Sequence, residues 1–253
     1  MTKLTAVTDF LDDLLKIKDF ADDPSNNGLQ CEGRPEVKKV VFGVDARAAL
    51  FQAAAKAKAD LVVVHHGLSW RHGFQRLTGV DAERFRLLLT NGLSLYAAHL
   101  PLDAHPRYGN NAILAEMLDL KARKPFFRYA GYAIGVAGQL HAATPVETLA
   151  EILADRLNAD YTIFGEAARP VRRIGVVSGG GGDAVPEAVK AGLDVLVTGE
   201  VTHAECALIQ ELDLPVIALG HYKSETVGVQ RLMSLLEAKF GIKGEFVDLP
   251  TGL

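Results

Sequence analysis

Two adjacent histidines, His65 and His66, are the residues of this sequence whose position most directly suggests chemistry. They close the run Asp-Leu-Val-Val-Val-His-His-Gly at positions 60–67. The apolar, β-branched part of this run is typical of a strand buried on both faces of a parallel sheet. Such sheets bind ligands beyond the carboxyl ends of their strands. Because neighbouring strand residues point to opposite faces, both imidazoles can face one metal ion only where the strand has ended, and Gly67 permits that turn.

Two further predicted strands end in residues of the same chemical kind. His99 precedes Asp103, and His221 precedes Glu225 with a spacing of four that places both on one face of a helical turn. Imidazoles and carboxylates in this number suit two divalent ions about 3.5–4 Å apart, with a carboxylate bridging them. Such ligands suit Zn, Fe, Mn or Co, and the sequence does not choose among them. Taken alone, the histidine pair could simply be hydrogen-bonded, and each carboxylate could cap or open a helix.

Four polar residues near these strand ends are candidates for other roles. Glu200 and His203 follow another predicted strand, and they could transfer protons or orient a ligand histidine. Asn27 and His99 are candidates for substrate binding, and His99 could equally support a ligand histidine. Each residue also has a purely structural alternative. Glu200 could simply stand at a helix start, and His203 could be a surface histidine. Asn27 could belong to a tight turn, and His99 could be a buried histidine whose hydrogen bonds are satisfied.

A glycine-rich segment, Ser-Gly-Gly-Gly-Gly-Asp at positions 178–183, precedes a predicted helix. Its backbone amides could cradle a phosphate, although the Gly-Lys-Ser/Thr of a Walker A loop does not follow. The glycines could equally let the chain pass close to a metal ligand or to the opposite lobe. Both interpretations stay open at the level of the sequence.

Composition restricts the class of protein. The chain has 253 residues, of which 49% are hydrophobic and 23% charged, as in ordinary globular proteins of one large or two small domains. The formal net charge of −4 argues against a general nucleic-acid surface, although a local basic patch could lie within it. Cys31 and Cys206 predict no disulfide framework. We expect no signal peptide, no membrane span and a cytoplasmic location.

Strands and helices alternate along the first part of the chain. Predicted strands at 39–44, 61–64 and 94–98 are separated by predicted helices, which is the pattern of a parallel-rich sheet covered by helices. We therefore expect a first α/β lobe over residues 1–125, with an amphipathic helix at its start. Residues 126–253 are expected to form a second lobe that includes a connecting segment.

The second part of the chain repeats the first. The interval from Lys39 to Asp60 equals that from Arg173 to Asp194, so that Glu200 falls opposite His66 in the second copy. Internal similarity over more than about 100 residues indicates two related α/β lobes, although βαβ units also resemble one another by their nature. We expect the metal site between the lobes, at the carboxyl ends of their strands.

Six short motifs follow one another across nearly the whole chain. They are Asn-Asn-Gly-Leu-Gln at 26–30, Val-His-His-Gly-Leu at 64–68, Ala-His-Leu-Pro-Leu-Asp at 98–103, Asn-Asn at 110–111, Val-Thr-Gly-Glu at 197–200 and Gly-His-Tyr-Lys-Ser-Glu at 220–225. These motifs resemble those of the Nif-three-like dinuclear-metal family, whose members are often called GTP cyclohydrolase 1 type 2 homologues. One departure is Gly67, where many members of the family have proline.

The resemblance implies a ligand set, an assembly and an activity. It implies two similar α/β domains, a toroidal homohexamer and two divalent ions, with Glu225 as the bridging ligand, held by His65, His66, Asp103, His221 and Glu225. The leading hypothesis is a dinuclear metal-dependent hydrolase acting on a nucleotide or a related phosphorylated or purine substrate, resembling GTP cyclohydrolase. The alternative is a non-catalytic, metal-binding hexameric scaffold or regulator for a macromolecular partner. Metal storage is a third possibility.

Overall fold

Apolar runs form parallel strands in two separate sheets, one in each of two structural units. The computed structural model describes residues 2–253. Unit 1 comprises the residues up to Leu102 together with Gly228–Leu249, and unit 2 comprises Asp103–Val227 with Pro250–Leu253. The boundary predicted near residue 125 falls inside unit 2.

Short strands and helices alternate along most of the described chain, with one-turn 3-10 helices at Ile17–Asp19 and Gly182–Ala184. The remaining elements are β1 (Thr2–Lys3), α1 (Leu4–Leu15), β2 (Gly28–Cys31), β3 (Glu36–Val37), β4 (Lys39–Asp45), α2 (Ala48–Lys56), β5 (Leu61–His66), α3 (Gly79–Asn91), β6 (Ser94–Ala97), α4 (Leu100–Ala104), α5 (Asn110–Met117), β7 (Lys121–Tyr129), β8 (Tyr132–Pro145), α6 (Val146–Leu157), β9 (Thr162–Phe164), β10 (Pro170–Val177), α7 (Val185–Lys190), β11 (Val195–Thr198), α8 (His203–Leu212), β12 (Val216–Ala218), α9 (His221–Ser224), α10 (Thr226–Phe240) and β13 (Lys243–Phe246).

The sheet of unit 1 has five strands in the order β13-β4-β5-β6-β2. The first four are parallel, and β2 pairs with β6 in the antiparallel direction. One face packs Phe42 and Val63 against residues of α1 and α10, and the other face packs Val62 against Leu50 of α2 and Leu88 of α3. Helices on both faces explain why the apolar run of β5 lacks the polar alternation of a half-exposed strand. The prediction of a strand buried on both faces is confirmed.

The sheet of unit 2 has six strands in the order β7-β8-β10-β11-β12-β9. The three central strands β10, β11 and β12 are parallel, and the flanking strands β8 and β9 are antiparallel to them. One face carries a core in which helix residues of α5 and α6, such as Leu149, pack on sheet residues such as Ile174 and Val197. Both units are thus mixed α/β with parallel-rich sheets, which confirms the predicted fold class.

An identical hydrogen-bond arrangement recurs at the start of the parallel strands in each unit. In unit 1, the Asp60 carboxylate accepts from the backbone N–H groups of Lys38 and Lys39. In unit 2, the Asp194 carboxylate accepts from the corresponding N–H groups, at positions 172 and 173. The backbone amides of these two aspartates donate in turn to the carbonyls at positions 39 and 173. The equal sequence intervals therefore correspond to equal local structures, as internal duplication predicts.

Candidate metal centre

His65 and His66 are the last two residues of β5, the central strand of the unit 1 sheet. The sequence predicts that the strand ends before them, whereas the strand runs through both. Strand β6 pairs with β5 only as far as Val64, while β4 continues to pair up to His66. With a partner on one side only, the backbone there is less constrained than in the middle of the sheet. The two imidazole rings lie 4.6 Å apart between centroids.

Each histidine of this pair is oriented through its Nδ1 atom. Nδ1 of His65, which is fully buried, lies 2.8 Å from the carbonyl oxygen of Ala98. Nδ1 of His66 lies 2.9 Å from a carboxylate oxygen of Asp45, the last residue of β4. Because a carbonyl or carboxylate can only accept, Nδ1 carries the hydrogen in both rings. Nε2 is then the nitrogen that each ring offers to a metal ion, and such outer partners are typical of metal-binding histidines.

His99 follows β6, and it is oriented in the same way. Its Nδ1 donates to Oδ1 of Asp23 over 2.8 Å, and its backbone N–H donates to Oδ1 of Asn27 over 2.7 Å. The Asp23 carboxylate, whose side chain is fully buried, also accepts from the N–H of Ser25, from Nδ2 of Asn27 and from the N–H of Leu100. Burial acts to raise the pKa of Asp23, but the hydrogen bond and charge of His99 lead the opposing contributions, and the pKa is lowered.

The three histidines of unit 1 form one cluster. The centroids of His65 and His66 lie 5.2 and 5.6 Å from that of His99, and one potential ligand atom from each ring lies within 4.8 Å of the others. Trp70 packs edge-on against His99 at 5.1 Å, and its indole N–H donates to the carbonyl of Gly67. This cluster has the donor atoms and the spacing to hold a metal ion.

Gly67 is required by close packing in this chain. A Cβ at this position would overlap the side-chain amide of Gln30 and the methyl group of Ala97. The side-chain oxygen Oε1 of Gln30 accepts from the backbone N–H groups of Leu68 and Ser69, so it fixes the turn that follows the histidine pair. Gly67 therefore leaves room for the Gln30 side chain beside the cluster.

In unit 2, Asp103 lies buried in α4 and is held by two side chains. Its Oδ1 accepts from Nδ2 of Asn110 over 2.8 Å and from the hydroxyl of Ser178 over 3.1 Å. The neighbouring Asn111 donates to the carbonyl of Ile134 and accepts from the N–H of Ser178. The Asn-Asn motif therefore positions the carboxylate and the start of the glycine-rich segment.

His221 and Glu225 are paired in unit 2. His221 Nε2 lies 3.4 Å from a carboxylate oxygen of Glu225, while His221 Nδ1 donates to Oε2 of Glu200 over 2.9 Å. The hydrogen bond with Glu225 is the main cause that raises the pKa of His221 to about 9, and Glu200 contributes further. In the metal-free protein these carboxylates therefore stabilise a protonated imidazole at the position of a predicted ligand.

The glycine-rich segment passes directly beside this pair. Gly179 has a φ of +64°, and a Cβ there would overlap Oε1 of Glu225 and lie 3.2 Å from Nε2 of His221. The Gly179 N–H donates to the hydroxyl of Ser224, and the Gly179 carbonyl accepts from the N–H groups of Gly199 and Glu200. This arrangement favours the interpretation in which the glycines let the chain pass close to a metal ligand.

The remaining predicted residues lie in different surroundings. Asn27 holds the backbone at His99, because its Oδ1 accepts from the His99 N–H and its Nδ2 donates to the Asp23 carboxylate. The Glu200 carboxylate accepts a hydrogen bond from Nδ1 of His221, which is the position of a residue that orients a ligand histidine. His203 is exposed as the first residue of α8.

Two carboxylates that sequence reasoning missed orient histidines of unit 1. Asp45 ends β4, so the logic that selected the ends of the neighbouring strands could have found it. Asp23 lies in a turn-rich segment, and its bond to the N–H of Ser25 two residues later is a local turn signal without a functional meaning of its own. Its contact with His99 spans 76 residues and leaves no trace in the local sequence.

The fold and the donor groups together define a class: an α/β protein with an internally repeated, parallel-rich architecture and histidine and carboxylate groups that could hold metal ions. Residues 2–251 match the family described as Duf34/NIF3 (NGG1p interacting factor 3). The chain belongs to this family, which confirms the resemblance read from its motifs. Within residues 2–253, no helix has the length and apolarity needed to cross a membrane.

Relatives match over their full lengths. The chain is 45% identical over 248 residues to a protein of Pyrococcus horikoshii, covering 98% of both chains, and 45% identical over 250 residues to one of Archaeoglobus fulgidus, covering 99% of both. Both relatives are named GTP cyclohydrolase 1 type 2 homolog. Among solved structures, the chain is similar to protein ybgI, described as of unknown function, with a TM-score of 0.91, 32% identity and full coverage of both chains. It is also similar to the protein TTHA1606 from Thermus thermophilus, with a TM-score of 0.86, 37% identity and full coverage of both chains.

Proposed function

We propose that this protein is a metal-dependent hydrolase with a dinuclear centre. The proposed ligands are His65, His66, Asp103, His221 and Glu225, with Glu225 bridging two divalent ions. The observation that carries the proposal is the orientation of the three proposed histidine ligands. Nδ1 of each one bonds a fixed acceptor at 2.8–2.9 Å, namely the Ala98 carbonyl, the Asp45 carboxylate or the Glu200 carboxylate.

The donor set fits divalent metals of the borderline class. Imidazole and carboxylate ligands without thiolate suit Zn, Fe, Mn or Co. The outer carboxylates increase the basicity of the histidines and fix their rings, as outer partners do in metal sites generally. The close approach of Gly179 to Glu225 and His221 supports the same assignment, because a side chain at position 179 would displace the proposed bridging carboxylate.

Two bound divalent ions would supply Lewis-acid activation of water and of an electrophilic centre in the substrate. We assign to Glu200 the orientation of His221, with proton transfer by Glu200 or His203 as the accompanying role. Asn27 and His99 are proposed to lie at the substrate side of the centre. The name carried by the relatives supports a nucleotide or a related phosphorylated or purine substrate, with hydrolytic opening of a purine ring as one form of the reaction.

The alternative is a non-catalytic metal-binding scaffold that acts through a macromolecular partner. Both alternatives share the metal centre and the homohexamer proposed from the family resemblance, and light scattering of the purified protein tests the hexamer. They differ in turnover, so the decisive test is a substrate screen rather than a binding measurement.

The screen uses metal-replete protein with nucleotides, phosphodiesters and pterin precursors. We expect hydrolysis of at least one class by the wild type, loss of turnover and of metal in His65→Ala and Glu225→Ala, and unchanged turnover in His72→Ala, which alters an exposed histidine of unit 1. A wild-type protein that retains its metal but hydrolyses none of these compounds contradicts the hydrolase proposal and favours the scaffold.

A further inference from the structure

The hairpin that β7 and β8 form in unit 2 concentrates positive charge. Residues 120–146 include four lysines and arginines and no aspartate or glutamate, in a chain whose formal net charge is −4. This stretch contributes +4, so the rest of the chain carries −8. The hairpin is therefore a local basic patch of the kind that a negative net charge can conceal. Its four cations are Lys121, Arg123, Lys124 and Arg128.

Three of these cations lie on one face of the hairpin. The β8 partners of Lys121, Lys124 and Arg128 are residues 139, 137 and 133. Because alternate residues of a strand point to the same face, and directly opposite residues of an antiparallel pair share a face, the three cations form one row. All three are exposed, and the six residues of β8 between their partners give the row a length of about 20 Å.

A carboxyl group at the base of the hairpin responds to this charge. Nζ of Lys121 donates to Oδ1 of Asp119, and this hydrogen bond is the main cause that lowers the pKa of Asp119. The charges of Lys121, Arg123 and His141 also act to lower it. This end of the hairpin therefore stabilises negative charge beside it.

The tip of the hairpin adds aromatic side chains to the cations. The pairing of β8 with β10 begins at residue 136, so the tip extends past the end of this pairing. Tyr129 and Tyr132 lie directly opposite each other at the tip, and 43% of the surface of Tyr129 is exposed. The Arg128 guanidinium donates to the carbonyl of Gly131, which holds the turn between them. Surfaces that bind single strands combine cations for the phosphates with aromatic rings for the bases.

The edge of β7 is a poor template for an added peptide strand. Its pairing register shifts between Lys121 and Lys124, and Ala122 and Phe127 have φ values of +49° and +50°. Irregularities of this kind interrupt the row of backbone groups that a peptide would pair with. Contacts with phosphates need no regular backbone edge, because the side chains make them. The hairpin therefore fits a nucleic acid better than an acidic peptide.

We propose that the β7–β8 hairpin binds single-stranded nucleic acid. Lys121, Lys124 and Arg128 contact phosphates, and Tyr129 stacks on a base at the tip. Recognition through phosphates and stacking does not depend on base sequence, and DNA and RNA strands bind alike. This function goes beyond the proposed hydrolysis and does not require metal ions.

Fluorescence anisotropy with labelled oligo-dT and oligo-U strands, measured in chelator at low salt, tests the proposal. We expect wild-type protein to bind both strands. The triple variant Lys121→Gln, Lys124→Gln, Arg128→Gln is expected to bind about 10–100-fold more weakly. The plot of log affinity against log salt concentration should become shallower by about 2 units, because three phosphate contacts are lost.

A matched triple variant controls for the loss of charge. Lys18→Gln, Lys56→Gln, Lys190→Gln removes the same charge from exposed positions outside the hairpin, and it should bind both strands as the wild type does. Circular dichroism confirms that both triple variants are folded.

Replacing Tyr129 separates stacking from charge. Tyr129→Ala is expected to weaken binding by about tenfold while leaving the salt dependence unchanged, because the lost contact is with a base. Tyr161→Ala, which alters a tyrosine of similar exposure elsewhere in unit 2, should have no effect.

Four results would overturn the proposal. Two of them are a wild-type protein that binds neither strand, and a folded hairpin variant that binds both with wild-type affinity. Polyglutamate that displaces the strands at an equal concentration of charge would identify an acidic protein segment as the partner. A changed molar mass of the hairpin variant in light scattering would assign the hairpin to a contact between copies of the chain.

Discussion

Nδ1 of His221 donates a hydrogen bond to Oε2 of Glu200 over 2.9 Å. Nδ1 of His66 makes the equivalent bond to Asp45 at the same distance. The two histidines lie in different units, and each is oriented by a carboxylate at the end of a parallel strand or two residues beyond it. The same histidine–carboxylate arrangement thus occurs in both units, at different strand ends, with Nε2 as the nitrogen offered to a ligand.

Replacing Glu200 tests whether this bond prepares His221 for a metal ion. We expect Glu200→Gln to lower metal affinity by about 10–100-fold, because a neutral amide neither increases the basicity of the imidazole nor fixes its tautomer. Competition with a chelator measures the change. Glu211→Gln removes the same charge from an exposed position of α8 and should have no effect. Equal affinities of the two variants would show that Glu200 does not act through His221.

The pH dependence of the metal-free protein tests the charge state of His221. Because contact with Glu225 raises the folded pKa from an ordinary value of 6.5 to about 9, protonated His221 stabilises the folded state. This contribution is fully present below pH 6.5 and is lost as the pH rises through about 9. Urea unfolding in chelator should show a loss of about 1–3 kcal/mol across this range. His221→Gln should lack this loss, and parallel profiles would contradict the assignment.

Gly179→Ala tests the close passage of the chain beside Glu225. The new methyl group would overlap Oε1 of Glu225, and we expect metal affinity to fall by at least about tenfold. Gly131→Ala is the control, since Gly131 also has a positive φ of +85° but open space around it. It should lower the unfolding free energy by about 1–2 kcal/mol with no effect on metal. Similar metal affinities of both variants would exclude a specific role for Gly179.

The repeated aspartates should have equal structural importance. Asp60→Ala and Asp194→Ala each leave two backbone N–H groups without their carboxylate acceptor. We expect each substitution to lower the unfolding free energy by about 1–3 kcal/mol in urea titrations. Asp81→Ala, which removes a half-exposed carboxylate from α3, should change it by less than about 0.5 kcal/mol. A large effect in one copy and none in the other would argue against equivalent roles.

The parts of the fold that were predictable from the sequence are those with buried apolar runs. Strands β5 and β11 are read directly from such runs because both of their faces are covered. Strand β7 was missed because it lies at a sheet edge with most of its residues exposed, and its sequence is rich in lysine and arginine and includes Pro125. Periodicity carries little information for an edge strand of this kind.

The same distinction applies to the site. Residue type and position at a strand end select His65 and His66, because the end of the apolar run fixes their place in the fold. The roles of Asp23 and Asp45 depend on contacts across 76 and 21 residues, and only the folded chain reveals them. Sequence therefore indicates which residues could bind metal, while the structure identifies the groups that orient them.

The most direct test of the dinuclear centre is the metal content of the protein purified under metal-replete conditions. A dinuclear centre requires about two divalent ions per folded wild-type chain, and we expect a loss of metal in His65→Ala and in Glu225→Ala. A correctly folded wild-type protein that holds less than about one ion per chain would contradict the dinuclear centre on which the proposed function rests.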